Sequence, residues 1–150
     1  MNEKILSGRE ILKKLESEGK YVFHGSEDGS LKTLEPRQAY TFKGKEEVPD
    51  GKPAVHASPF TDVAIFMAII NKRNCPKGFS SGFNKTSFVL HASKETLEQL
   101  NEGSVGYVYV FSKDEFVFRN DTEVVSYTEV TPLKIVEVKK EDLSDTIEIR

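Results

Sequence analysis

The chain has 150 residues, of which 37% are hydrophobic and 30% charged, with a formal charge of −3; that length suits one domain burying roughly two-thirds of its unfolded surface. Lysines are interspersed with acids instead of gathered into a stripe, which argues against nucleic acid as a main partner. The apolar run Val63–Ile70 is too short to span a bilayer, Met1-Asn-Glu-Lys lacks the order of a signal peptide, and the single Cys75 cannot close an internal disulfide, so a cytoplasmic protein with no membrane partner is expected.

Ser7-Gly-Arg-Glu10 has the form of a capping box, followed by Ile11, Leu12 and Leu15 on one helical face and by Gly19; the spacing predicts a helix over about 8–19. Tyr21–His24 reads as a first strand that delivers a histidine onto a Gly25-Ser26 turn. An imidazole, a hydroxyl and an unhindered backbone N–H would then share one strand end, where glycine lets another group come close. Residues 27–53 hold Gly29, Pro36, Gly44, Pro49, Gly51 and Pro53 with little apolar periodicity, and are expected to form a long irregular connection. Ala54–Ser58 reads as a short strand, with Ser58-Pro59 as N-cap and first residue of a helix over about 59–72. That helix is apolar nearly all round and should be buried against a sheet.

Cys75 falls in a Gly- and Lys-containing loop and reads as an incidental loop residue; no Cys/His cluster has metal-ligand spacing. Thr86–Ala92 is predicted as a strand, and Ser93 as the cap of a short helix ending near Gly103. Strands follow over Gly106–Ser112, Glu115–Arg119, Glu123–Val130 and Leu133–Lys139, rich in β-branched residues. The charged end, Lys140–Arg150, is expected to fray. Early helices and late strands describe a single α+β domain, its helices packed around a split antiparallel β-sheet.

The signals also occur in a particular order: strand-His24-Gly25-Ser26, a strand ending Ala57-Ser58 before an alanine-containing helix, Gly106-Tyr-Val-Tyr-Val110, Thr122-Glu-Val-Val-Ser126, and Val130-Thr-Pro132 opening the last strand. This series resembles the ADP-ribosyltransferase superfamily over about residues 21–140. The likeness is to the small histidine-first members such as the rifampin ADP-ribosyltransferases and, more distantly, to the poly-ADP-ribose polymerase catalytic domain. Ser126-Tyr-Thr-Glu-Val-Thr-Pro132-Leu-Lys-Ile-Val-Glu-Val138 is the closest local likeness.

The resemblance implies an enzyme that uses NAD as substrate and no metal. It would cleave the nicotinamide–ribose bond and transfer ADP-ribose to a protein or small-molecule acceptor, or to water. His24 and Gly25 would grip the ribose hydroxyls and carboxamide of NAD, with Ser26 extending that edge and Ser58 closing the second motif. Glu123 would stabilise the cationic transition state, with Glu129 as second candidate and Asp114 or Asp121 if the carboxylate lies upstream. Val55 stands where the family often has tyrosine, so Phe66, or a loop aromatic such as Tyr40 or Phe42, would have to supply the nicotinamide wall. His56, next to Val55, should point to the opposite sheet face. Arg37 could hold a pyrophosphate as a bidentate donor or pair with Glu35 in a turn. The alternative reading is a catalytically inactive nucleotide-binding or protein-interaction module on the same fold.

Overall fold

The structure, a computed structural model, describes residues 6–38, 40–49, 51–83 and 89–150. Helix α1 spans Gly8–Ser17, and both halves of the capping box form: Ser7 Oγ accepts the Glu10 N–H at 3.1 Å, and the Ser7 N–H donates to Glu10 Oε1 at 3.3 Å. Strand β1 runs Tyr21–Ser26. His24-Gly25-Ser26 is therefore a continuation of the strand and not the expected turn, because β7 pairs with β1 along its whole length.

The segment 27–53 is less irregular than its glycines and prolines predict. It folds into a hairpin of β2 (Tyr40–Lys43) and β3 (Glu46–Pro49) around Gly44, whose φ of 68° suits the residue that lacks a Cβ. Strand β4 (Val55–Ala57) leads to helix α2, Thr61–Ile69. That helix starts later than expected: its N-cap is Phe60, which makes no side-chain capping bond, while Ser58 Oγ accepts the Phe60 N–H at 3.1 Å. The missing cap comes from α1, where Glu16 Oε1 accepts from the Thr61 N–H at 2.6 Å and the Thr61 hydroxyl at 3.0 Å.

Strand β5 (Ser81–Phe83), absent from the sequence reading, pairs with β6 (Leu90–Ala92); the beginning of the strand expected at Thr86 lies outside the described residues. Ser93 caps α3 (Lys94–Glu98) as its sequence indicates. Then come β7 (Val105–Ser112), β8 (Val117–Asn120), β9 (Glu123–Ser126), β10 (Lys134–Lys139) and β11 (Glu148–Ile149). β11 lies in the tail expected to fray; it pairs in parallel with β6, and the Arg150 N–H donates to the Ala92 carbonyl at 3.0 Å.

The chain is thus an α+β protein with small, mainly antiparallel sheets. β7 is the centre of one, in the order β1-β7-β10, and β9 of another, β4-β9-β8. The two meet where Phe23 and Ser58 exchange backbone hydrogen bonds of 2.8 Å each way. Side chains of β1 and β7 alternate between two cores, as the period of a strand requires. Phe23, Val108 and Val110 join α1 and α2 on one face, while Val22, Tyr109 and Phe111 pack with Val55, Phe116 and Val124 on the other. Among the described residues, no helix is long and apolar enough to cross a membrane.

Candidate active site

Beyond the Phe23–Ser58 bridge, β4 and β1 stop pairing, and the chain leaves β4 for α2. Phe23 points its N–H and carbonyl at β4, so by strand alternation Gly25 turns its own N–H and C=O to the same edge, away from β7. A small cleft of about 100 Å³ opens there, and its walls include His24, Gly25, His56, Ser58, Met67 and Glu123. His24 and His56 also border a larger cleft of about 700 Å³ that holds Lys32, Glu35 and Arg37. The two histidines are thus common to both spaces.

His24 Nδ1 lies 2.6 Å from the His56 backbone carbonyl. A carbonyl only accepts, so Nδ1 carries the proton and donates, which leaves Nε2 as an acceptor. Burial pushes the His24 pKa below its ordinary 6.5; the His56 carbonyl bond opposes this, and the nearby His56 and Arg37 charges reinforce it. The ring is accordingly neutral near pH 7.

Glu123 opens β9 and is 15% exposed at its side chain. Its Oε1 stands 3.2 Å from an Arg119 guanidinium nitrogen and 3.6 Å from His56 Nδ1. The first contact is a charge pair without hydrogen-bond geometry at Oε1; the second is an ion pair only when the imidazole is protonated. His56 Nε2 is buried without a hydrogen-bond partner, and an unpaired polar atom of this kind is costly unless another group enters to meet it.

Of the residues expected at a site, the structure brings His24, Gly25, Ser58 and Glu123 to the small cleft and places Arg37 in the adjoining one. Arg37 is held there through its backbone, which exchanges hydrogen bonds with Ala54 at 3.1 and 3.0 Å. Ser26 lies at the end of β1, where its hydroxyl accepts the Asp28 N–H at 3.1 Å. Phe66 is 1% exposed and packs in the α1–α2 core; the α2 residues at the cleft are Val63, Ala64 and Met67, the last 51% exposed. Glu129 and Asp121 are exposed and border neither cleft, and Asp114 borders a separate hollow beside Phe60 and Phe116. The side chains of Tyr40 and Phe42 lie outside the described structure.

His56 is the participant that the sequence reading passed over. Strand alternation does put it on the opposite face from Val55, which is buried in the second core; the cleft lies on the face of His56. Arg119 was missed as well, for a reason of register taken up below. Cys75 is fully buried, and burial raises its thiol pKa, which fits an incidental residue and not a reactive one.

Size alone would select another place. A larger hollow, about 980 Å³, lies between residues 73–80 and α3, but among the described residues no histidine lines it and its polar groups are mostly loop side chains. Convergent titratable groups are the better guide to chemistry. Among the described residues, no group of three or more His, Cys, Asp or Glu side chains could hold a metal ion. No protein-family model, no curated protein and no solved structure matches this chain.

Proposed function

We propose that the protein is an ADP-ribosyltransferase-like enzyme that cleaves the nicotinamide–ribose bond of NAD and passes ADP-ribose to an acceptor or to water. The observation that carries this reading is the convergence of His24, Gly25 and Glu123 on one cleft from two separate sheets. These are the residues that the resemblance assigns to gripping NAD and to the cation-stabilising carboxylate.

In this reading the C1′–N bond breaks with its electron pair going to the nicotinamide ring. The ribose becomes oxocarbenium-like, and the acceptor oxygen or nitrogen bonds to C1′ while its proton passes to solvent. Glu123 stabilises the positive charge as it develops; one such preorganised group contributes about 3 kcal/mol where water is excluded. His24, neutral and with Nε2 as acceptor, accepts a hydrogen bond from a hydroxyl of the nicotinamide ribose. Gly25 offers its backbone N–H and C=O to the carboxamide. The larger cleft, with Lys32 and Arg37, takes the anionic remainder of the dinucleotide.

Nicotinamide release from NAD by the purified protein tests the reading. Wild type is expected to release it, and Glu123→Gln to lose about 10²–10³ in kcat while still binding NAD. Equal release by both variants removes Glu123 from its role. A second reading, a nucleotide-binding module without turnover, is favoured by one observation: α2 lines the cleft with Val63, Ala64 and Met67 while Phe66 is buried, so the helix supplies no aromatic wall. It predicts NAD-induced stabilisation, about 2.7 kcal/mol at 100 times Kd, with no release.

A further inference from the structure

Every apolar residue of α2 is buried except one, and that one stands at the small cleft. Val63, Ala64 and Met67 share a face of the helix by their i, i+3 and i+4 spacing, and all three line the cleft. Val63 and Ala64 are 4% and 2% exposed, whereas Met67 is 51% exposed. The backbone beneath Met67 is firmly seated. A Cβ on Gly25 would lie 2.1 Å from the Ala64 carbonyl oxygen and 3.1 Å from the Met67 carbonyl carbon, so this turn of α2 rests directly on β1. The polar lining comes from other elements, with His24 on β1, His56 on β4 and Glu123 on β9. An apolar wall from one helix and polar groups from three strands suit a planar ring that carries a polar edge.

We infer that Met67 is the surface on which the ring beside the broken bond packs, and that its thioether makes this site sensitive to hydroperoxides, an inference that rests on the ADP-ribosyl-transfer reading of the cleft. With Glu123 at C1′, the part of NAD that shares the small cleft across the C1′–N bond is the nicotinamide ring; the phosphates belong to the larger cleft. A thioether is unbranched and polarizable, and it packs favourably against aromatic rings. The same sulfur can be oxidised. A hydroperoxide gives its distal oxygen to the sulfur: the O–O bond breaks, an S–O bond forms, the sulfur is oxidised by two electrons, and the peroxide is reduced to water or an alcohol. The sulfoxide then places a strong acceptor in a wall whose neighbours, Val63 and Ala64, carry no side-chain donor, and a ring packed over it covers that acceptor at a cost. Met1, Met67 and Cys75 are the sulfur-bearing residues of the chain. Cys75 is 0% exposed, which shields its thiol from the same reagent.

The experiment is steady-state nicotinamide release by wild type, Met67→Ala and Met67→Leu, giving the KM for NAD and the inhibition constant of ADP-ribose, with melting temperatures for all three. Each protein is assayed before hydrogen peroxide, after it, and after repair by methionine sulfoxide reductases. Met67→Ala is expected to raise the KM for NAD about 5- to 10-fold, since roughly half of the side chain is left for a ligand to cover. ADP-ribose, which lacks the ring, should inhibit it as it inhibits wild type. Met67→Leu keeps apolar bulk without sulfur and should fall between the two. Peroxide should raise the KM of wild type by at least as much as Met67→Ala does, the reductases should reverse that rise, and the KM of Met67→Leu should be the same before and after treatment. An unchanged KM in Met67→Ala beside an active wild type overturns the inference and leaves the parent reading intact. A loss shared equally by NAD and ADP-ribose also overturns it, because the contact would then not be with the ring. Peroxide that harms Met67→Leu as much as wild type overturns it too, by placing the sensitive group elsewhere. If Met67→Ala melts far below wild type, the peroxide comparison of wild type with Met67→Leu decides, since neither truncates the side chain. Wild type that releases no nicotinamide overturns both readings together.

Discussion

The two sides of strand β1 solve opposite problems. On the side of α2 the molecule has removed side chains so that backbones can touch: a Cβ on Gly25 would lie 2.1 Å from the Ala64 carbonyl oxygen, and one on Gly106 of β7 would lie 2.1 Å from that of Ala68. On the side of β4 the strands separate, and the space left is bordered by His24, His56 and Glu123. Tight packing on one side holds rigid the strand that lines the cleft on the other. The glycine of the His-Gly pair therefore has a structural reason for being glycine, apart from any approach by a ligand.

The sharpest way to break this comparison is to add one methyl group on the packed side. Gly25→Ala and Gly106→Ala each drive a Cβ into α2 backbone, which must move off the sheet. Each is expected to cost about 3 kcal/mol or more, at or beyond the upper end for overpacked cores, in urea unfolding; a variant of wild-type stability would show that α2 is not so closely seated. Phe66→Leu comes next. This large-to-small change in the core is expected to cost about 1–3 kcal/mol and to leave nicotinamide release at its wild-type value, because the ring packs in the core and away from the cleft. A selective loss of NAD binding in a well-folded Phe66→Leu protein would return the ring to the site.

A smaller effect should appear with pH. The folded protein holds the His24 pKa below the ordinary 6.5, so between those two values the unfolded chain binds a proton that the native state refuses. Stability is then complete above about pH 6.5 and declines as pH falls through the folded pKa. His24→Asn, which keeps a donor for the His56 carbonyl but cannot titrate, should flatten that acid limb in denaturant titrations taken at successive pH values. An acid limb identical to wild type would assign the decline to other groups. The smallest effect is expected at Glu129, exposed and away from both clefts. Glu129→Gln should stay within about 0.5 kcal/mol of wild type with unchanged release; lost release would move the carboxylate role there.

What the sequence discloses tracks how local the cause is. The start of α1 is legible because both capping partners lie within four residues of each other, and Ser93 at α3 is legible for the same reason. The start of α2 is not, since its cap is Glu16, forty-five positions earlier. The hairpin β2–β3 was hidden by its prolines and glycines, and β11 by its charge; each is fixed by a strand partner that no local pattern announces. At the site, His24 and Glu123 stand in short motifs that can be read directly. His56 required knowing which face of β4 carries the cleft, and Arg119 required the one-residue slip between β8 and β9, a property of pairing and not of either strand alone.

The central position of β7 has a consequence for how the molecule is made. Phe23 must find Val110, and Val108 must find Val136, before the first sheet is whole. During synthesis β1 and α2, with their apolar surfaces, leave the ribosome long before the strand that shields them exists. Non-local pairing of this kind slows folding and prolongs exposure of sticky surface. Newly made chains should therefore depend on chaperones, or on low synthesis rates, more than the modest size of the domain would suggest.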